Sequence, residues 1–238
     1  MLNLALKGQG KILNKKYKML GVCGYRRTGK DSFLQTLNSE NEFKWLIYAP
    51  SSLIERKELK EECKKRFSRN RKQISLAKAI KIRVAKEFGM TLEELELNKD
   101  KLVNGVIPRQ RCIQIAIEER QVDDLYWCKI AEKNVLQELE ELEELEELEE
   151  KKAKEILNDY VITDIRYECE ISHFSKYDFK TARVYRSEVE IPPKYVESEH
   201  SLDSFKTDYL ILTTEKDFEK AIEVFPQYAD YKLVLTIN

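Results

Sequence analysis

The sequence predicts an α/β protein with a largely parallel sheet, and three observations predict it. Short apolar runs alternate with stretches of helical periodicity, the first run ends in a glycine-bounded turn, and a helical pattern starts directly after that turn. The first run, Lys18 to Cys23 (KMLGVC), reads as a buried strand feeding a loop, and helical spacing follows from Asp31 to Leu37. A second strand is expected at Phe43 to Tyr48, closed by Ala49-Pro50 and two serines. Leu76, Ile80, Val84 and Phe88 recur every four residues on one face of a helix that Gly89 stops. Thr91 with Glu94 forms a capping-box pattern, Pro108 suits the first position of a helix carrying Cys112, Ile113 and Ile117, and Asp123 suits the cap of the next. Further strands are expected at Tyr160 to Thr163, Lys180 to Tyr185 and Tyr209 to Leu212, the last followed by a helix ending near Phe225.

A chain of 238 residues, 42% of them hydrophobic, has enough apolar material for a real core, and residues 1–238 are expected to form a single domain. Lys and Arg number 42 against 43 Asp and Glu, so the net charge of -1 provides no overall field toward nucleic acid or an anionic membrane. Phosphate affinity must then be local. The five cysteines are scattered, with neither a CxxC pair nor zinc spacing, which predicts a reducing, cytoplasmic setting. The opening MLNLALKGQGK is too short in apolar residues for a signal segment.

Residues 55–73 are densely charged and read as an insertion, as do residues 136–152, where Leu recurs every third position among glutamates. On a helix each such step falls about 60° short of a turn, so the leucines spiral around the cylinder and build no coiled-coil seam. The segment is expected to be a solvated acidic extension, with binding of a partner protein as the alternative. Self-association into a homodimer stays open.

The chemistry concentrates in Gly24-Tyr25-Arg26-Arg27-Thr28-Gly29-Lys30-Asp31-Ser32, which fits GxxxxGK between a predicted strand and a predicted helix. The glycines allow backbone N–H groups to point inward at an anion, the helix adds its positive end, and Lys30 supplies a mobile charge. Asp31 stands where Ser or Thr usually follows the lysine; it suits either a Mg²⁺ contact or the first turn of a helix. In Tyr160-Val161-Ile162-Thr163-Asp164-Ile165-Arg166 a strand emerges into an acid and a base, which face the same crevice if the sheet is open. Asp164 is then a candidate for Mg²⁺ and Arg166 for a phosphate, or the two pair with each other. Arg111, Gln114 and Arg120 lie on a predicted helix, as acceptor contacts or as a solvated face. Arg183 and Arg186 flank a strand end before the loop 187–199, which reads as an arginine-bearing lid or as plain surface. His173 and His200 read as structural.

GYRRTGKDS resembles the GxxRSGKDT loop of deoxynucleoside monophosphate kinases and of the related animal phosphomevalonate kinases. ISLAKAIKIRVAKEFGMTLEEL, QRCIQIAIEERQVDDLYWCKIA and VITDIR are similar to the strand–helix, Arg/Gln-helix and VxDxR segments that follow in that family, and ARVYRSEVE and YVESEHSLDSFKTDYLIL complete the order. The similarity runs from about Lys18 to Leu212. It implies a three-layer P-loop kinase fold with a helical acceptor-binding region, and ATP-dependent phosphorylation of a (deoxy)nucleoside monophosphate to the diphosphate with Mg²⁺. Residues and resemblance together give the expected site. Gly24, Arg27, Thr28, Gly29, Lys30, Asp31 and Ser32 would hold ATP; Lys30, Asp164, Arg166 and Arg186 would act on the transferred group. Arg111, Gln114, Arg120 and Arg166 would meet the acceptor, and Asp31, Ser32 and Asp164 the metal. The alternatives are a phosphorylated small alcohol as acceptor, or a non-catalytic P-loop interaction protein.

Overall fold

Leu20 and Val22 alternate with Met19, Gly21 and Cys23 along β1 (Lys18–Cys23), so the strand buries side chains on both faces of its sheet. The structure, a computed structural model, describes residues 18–38, 44–54, 57–67, 71–148, 159–194 and 196–237. They belong to two compact units, one made of Met1–Ile74 with Lys154–Asn238, the other of Ser75–Ala153.

The first unit holds a seven-stranded sheet in the order β3-β4-β1-β5-β6-β2-β7. These strands are β2 (Trp45–Pro50), β3 (Arg71–Ile74), β4 (Asp159–Ile162), β5 (Asp178–Val184), β6 (Tyr209–Leu212) and β7 (Tyr231–Ile237). β3, β4, β1, β5 and β6 run parallel, whereas β2 is antiparallel to both β6 and β7. The predicted α/β architecture with a mostly parallel sheet is therefore present. Trp45, Ile47 and Ala49 of β2 enter the core cluster with Leu20, Val22, Val161 and Ala182, while Leu46 and Tyr48 enter a second cluster with Leu210, Leu212 and Phe225. Period-two alternation between two apolar faces is what a sheet covered on both sides requires.

One face is covered by α1 (Lys30–Asn38), through Phe33, Leu34 and Leu37, and by α3 (Lys57–Arg66), through Leu59 and Cys63; the short α2 (Ser51–Ile54) precedes α3. The segment expected as an insertion at 55–73 thus supplies α3 and the edge strand β3, and Phe67 after the helix joins the core. The ends of the parallel strands opposite the loops are tied by buried arginines. Arg66 donates to Asp178 Oδ1 at 2.6 Å and to the Asp178 and Met19 carbonyls, and Arg71 donates to Asp159 Oδ2 at 2.9 Å. Further along come α8 (Glu168–Phe174), the four-residue α9 (Glu197–His200) and α10 (Lys216–Val224).

The second unit contains α4 (Leu76–Phe88), α5 (Leu92–Asn98), α6 (Pro108–Val122) and α7 (Tyr126–Leu148). Leu76, Ile80 and Val84 are buried as their spacing predicts, and Gly89 ends α4 in the left-handed region. The Thr91–Glu94 capping box forms in both directions, Pro108 occupies the first turn of α6, and the Asp123 carboxylate accepts from the Leu125 amide at the start of α7. α4 packs on α6 and α7. Ile113 and Ile117 are about half exposed, because α6 turns Ile115 inward instead. α7 continues the predicted helix through Leu148; the remainder of the acidic tract lies outside the described residues, and so does the opening segment. Among the described residues no helix is long and apolar enough to cross a membrane.

Candidate functional site

The loop between β1 and α1 has a backbone that few sequences tolerate. Gly24 has φ +137°, and a Cβ there would lie 2.4 Å from the Val184 carbonyl oxygen; Gly29 has φ +93° with the Trp45 ring 3.3 Å from the corresponding position. Arg27 also adopts a left-handed conformation, φ 66°. Thr28 is buried, and its hydroxyl donates to the Tyr25 carbonyl at 2.8 Å, which fixes the turn from inside. The Phe33 amide bonds back to Gly29, so α1 starts as the loop ends. β1 is also where the sheet divides, with β4 and β3 on one side and β5 and β6 on the other. In open α/β sheets, ligands sit beyond the carboxyl ends of the strands at such a division.

Lys30 reaches back along the loop and donates to the Gly24 carbonyl at 2.7 Å and the Tyr25 carbonyl at 2.8 Å. Burial lowers its pKa to about 8, the Arg166 cation pushes the same way, and Glu199 opposes both. Arg166, beyond β4, is held by its backbone: its amide donates to Glu170 Oε2 at 2.6 Å and its carbonyl accepts from the Ser201 hydroxyl at 2.6 Å. Its Nη1 lies 2.5 Å from Glu199 Oε1 in an ion pair that is not aligned as a hydrogen bond. Glu199 Oε2 accepts the Arg26 amide at 2.7 Å. A loop amide, two cations and one carboxylate thus meet at the mouth of the loop.

Arg186 contributes a third cation. Its side chain comes within 3.8 Å of the position a Gly29 Cβ would take, it pairs with Glu188 at 3.1 Å, and its Nε is buried without a hydrogen-bond partner. Its neighbour Ser187 is anchored through amide and hydroxyl to Asp217 Oδ1, while Thr213 and Thr214 hold Oδ2. Burial alone would raise the Asp217 pKa, but these donors outweigh it and hold the carboxyl below its ordinary value. Arg183, by contrast, is buried inside the fold, donating to the Tyr228 hydroxyl at 3.0 Å and the Leu202 carbonyl with Phe225 beneath it. It belongs to the core.

Asp31 is exposed on the first turn of α1 and accepts from Gln73 Nε2 at 3.3 Å; the same amide donates to the Thr163 hydroxyl at 2.7 Å, one residue before Asp164. Gln73 therefore links the loop helix to the ends of β3 and β4. Among the described residues no group of three or more His, Cys, Asp or Glu side chains forms a metal-ligand cluster. Ser32, half-buried one residue on, accepts the Thr36 hydroxyl through its carbonyl.

The other expected contacts lie in the second unit. Arg111 makes a two-pronged contact with Glu87 at 2.8 and 3.2 Å, Gln114 donates to Glu118 at 2.8 Å, and Arg120 donates to the Asp124 carbonyl at 3.3 Å. Arg111 also lines a cavity of about 240 Å³ with Glu87, Phe88, Asn104 and Val106. Three residues beside the loop were given no role from the sequence: Glu199, at the end of the expected lid, Gln73 and Asp217. Glu199 meets the Arg26 amide from 173 positions away, a pairing that no local pattern encodes. Asp217 carried a local signal, since Thr213-Thr214 three and four residues before an acid is a helix-start pattern. No family model matches the chain, and no curated protein matches it.

Proposed function

We propose that the chain is an ATP-dependent phosphotransferase of the P-loop kinase fold, related to deoxynucleoside monophosphate kinases, that phosphorylates a (deoxy)nucleoside monophosphate to the diphosphate. One observation carries the reading: the left-handed Gly24–Gly29 turn lies between the central parallel strand and α1, with Lys30, Arg166 and Arg186 around its mouth. Such a turn with its helix end is an anion cradle. The residues fit a polyphosphate, because the buried Arg186 Nε lacks an acceptor that a phosphate oxygen would supply, and Arg166 faces the loop amide across a single carboxylate.

In this reading Lys30 exchanges the carbonyls of Gly24 and Tyr25 for phosphate oxygens. Arg186 neutralises charge on the transferred group, and Arg166 holds the acceptor's phosphate in line with it. Asp31 and Asp164 are oxygen donors suited to Mg²⁺, which in phosphoryl transfer draws most of its remaining ligands from substrate phosphate and water. The ion would offset charge on the phosphates; the chain's own part is positioning and electrostatics, and no covalent enzyme intermediate is needed.

The test is ADP release measured against individual dNMPs, NMPs and phosphomevalonate. Turnover with a nucleoside monophosphate is expected, and Lys30→Ala should reduce it by about a hundredfold or more while leaving the melting temperature close to wild type. Turnover with phosphomevalonate alone would move the chain to the phosphorylated-alcohol class. Absence of ADP release with every acceptor would leave the interaction-protein reading in its place.

A further inference from the structure

The anion that the loop is shaped to hold has a stand-in within the chain. Glu199 points one carboxylate oxygen at the Arg26 amide, 2.7 Å away, and the other at Arg166 Nη1, 2.5 Å away, and its side chain is only 8% exposed. A carboxylate in contact with a loop N–H and a guanidinium presents the same acceptor chemistry as two phosphate oxygens. The peptide that carries it is fixed independently of that contact. Ser201 donates to the Arg166 carbonyl, Asp203 accepts the Tyr25 hydroxyl at 2.9 Å, and His200 lies between Asp203 and the Pro192 carbonyl at 2.6 and 2.8 Å. Tyr25 and His200 also pack ring against ring at 5.3 Å. The backbone of α9 can therefore stay in place while the Glu199 side chain alone turns out.

We propose that Glu199 is an internal counter-anion that occupies the loop mouth until the phosphate group of a substrate displaces it from Arg166 and the Arg26 amide. The inference rests on the phosphate-binding reading of the loop and adds a requirement on the ligand. A phosphate that brings two charges and three acceptor oxygens can replace the carboxylate at both contacts, whereas a neutral hydroxyl compound cannot. The carboxylate also gives the half-buried Arg166 side chain a counter-charge while the loop is empty.

The experiment is calorimetric titration of the full chain with inorganic tripolyphosphate, in wild type and in Glu199→Gln, Glu199→Ala and Lys30→Ala. Removing the competing charge should tighten tripolyphosphate binding by about tenfold or more in both Glu199 variants, and Lys30→Ala should abolish it. Equal or weaker binding in the Glu199 variants, with binding still lost in Lys30→Ala, overturns the counter-anion and leaves the loop reading intact. Binding in none of the four proteins overturns both. Thermal unfolding run in parallel guards against a purely structural role: if both Glu199 variants fail to fold, Glu199 is a strut and the proposal is wrong.

Discussion

Asp217 shows how one side chain can hold a segment of the candidate site. It sits nearly buried at the start of α10 and receives donors from Thr213, Thr214 and Ser187, the last adjoining Arg186. Asp217→Asn should lower stability by about 2 kcal/mol at neutral pH, because an amide cannot accept from so many donors and brings two N–H groups into the same space. The Asp217 pKa is depressed in the folded state, so its stabilisation is complete above the ordinary carboxylate range and is lost as pH falls through the lowered value. Urea unfolding of wild type and variant at pH 7 and in acid should therefore converge at the acid end. An undiminished difference there would assign the effect to packing. At this scale the sequence was legible where chemistry is local. Gly24, Gly29 and Lys30 declare themselves by spacing, while Glu199 and Gln73 acquire their partners only when the chain returns from far away.

The turn between β1 and α1 is the element on which the site depends. Gly24→Ala would force a Cβ to within 2.4 Å of a backbone carbonyl at a φ that L-residues avoid. It is expected to cost about 2 kcal/mol or more in urea unfolding and to abolish tripolyphosphate binding. A variant that binds normally would show that the loop can relax without loss of its cradle. β1 and α1 were readable because an apolar run, a glycine pair and a helical pattern follow one another without interruption. α3 and β3 were hidden by composition. The apolar positions Leu59, Cys63 and Phe67 do recur every four residues, but they are embedded among lysines and glutamates, and β3 (RKQI) is an edge strand whose first residue is a buried arginine held by Asp159 and the Lys65 carbonyl. β7 pairs with β2 alone, and its half-exposed pattern gives the weak signal of an antiparallel edge.

At the scale of the whole molecule, stability depends on cross-links between segments that are far apart in sequence. Arg66 ties α3 to the starts of β1 and β5 with its side chain only 2% exposed, although its partner Asp178 is half exposed. Arg66→Met should therefore cost about 2 to 3 kcal/mol in a urea melt, somewhat less than a fully buried pair would. No change would mean that solvent compensates Asp178 and the two carbonyls. The sheet was legible as a class because strands and helices alternate, yet its order was not, since pairing partners are chosen by tertiary packing. The same pairing has a consequence for synthesis. β1 is flanked by β4 and β5, and Met19 registers with Tyr160 on one side and Phe179 on the other. A nascent chain that has emerged only through its first hundred residues carries the whole glycine loop and yet has no neighbour on either side of the strand that presents it. The turn gains its supporting strands late, once the polypeptide through Val184 has arrived, so its backbone settles only after most of the chain has been made.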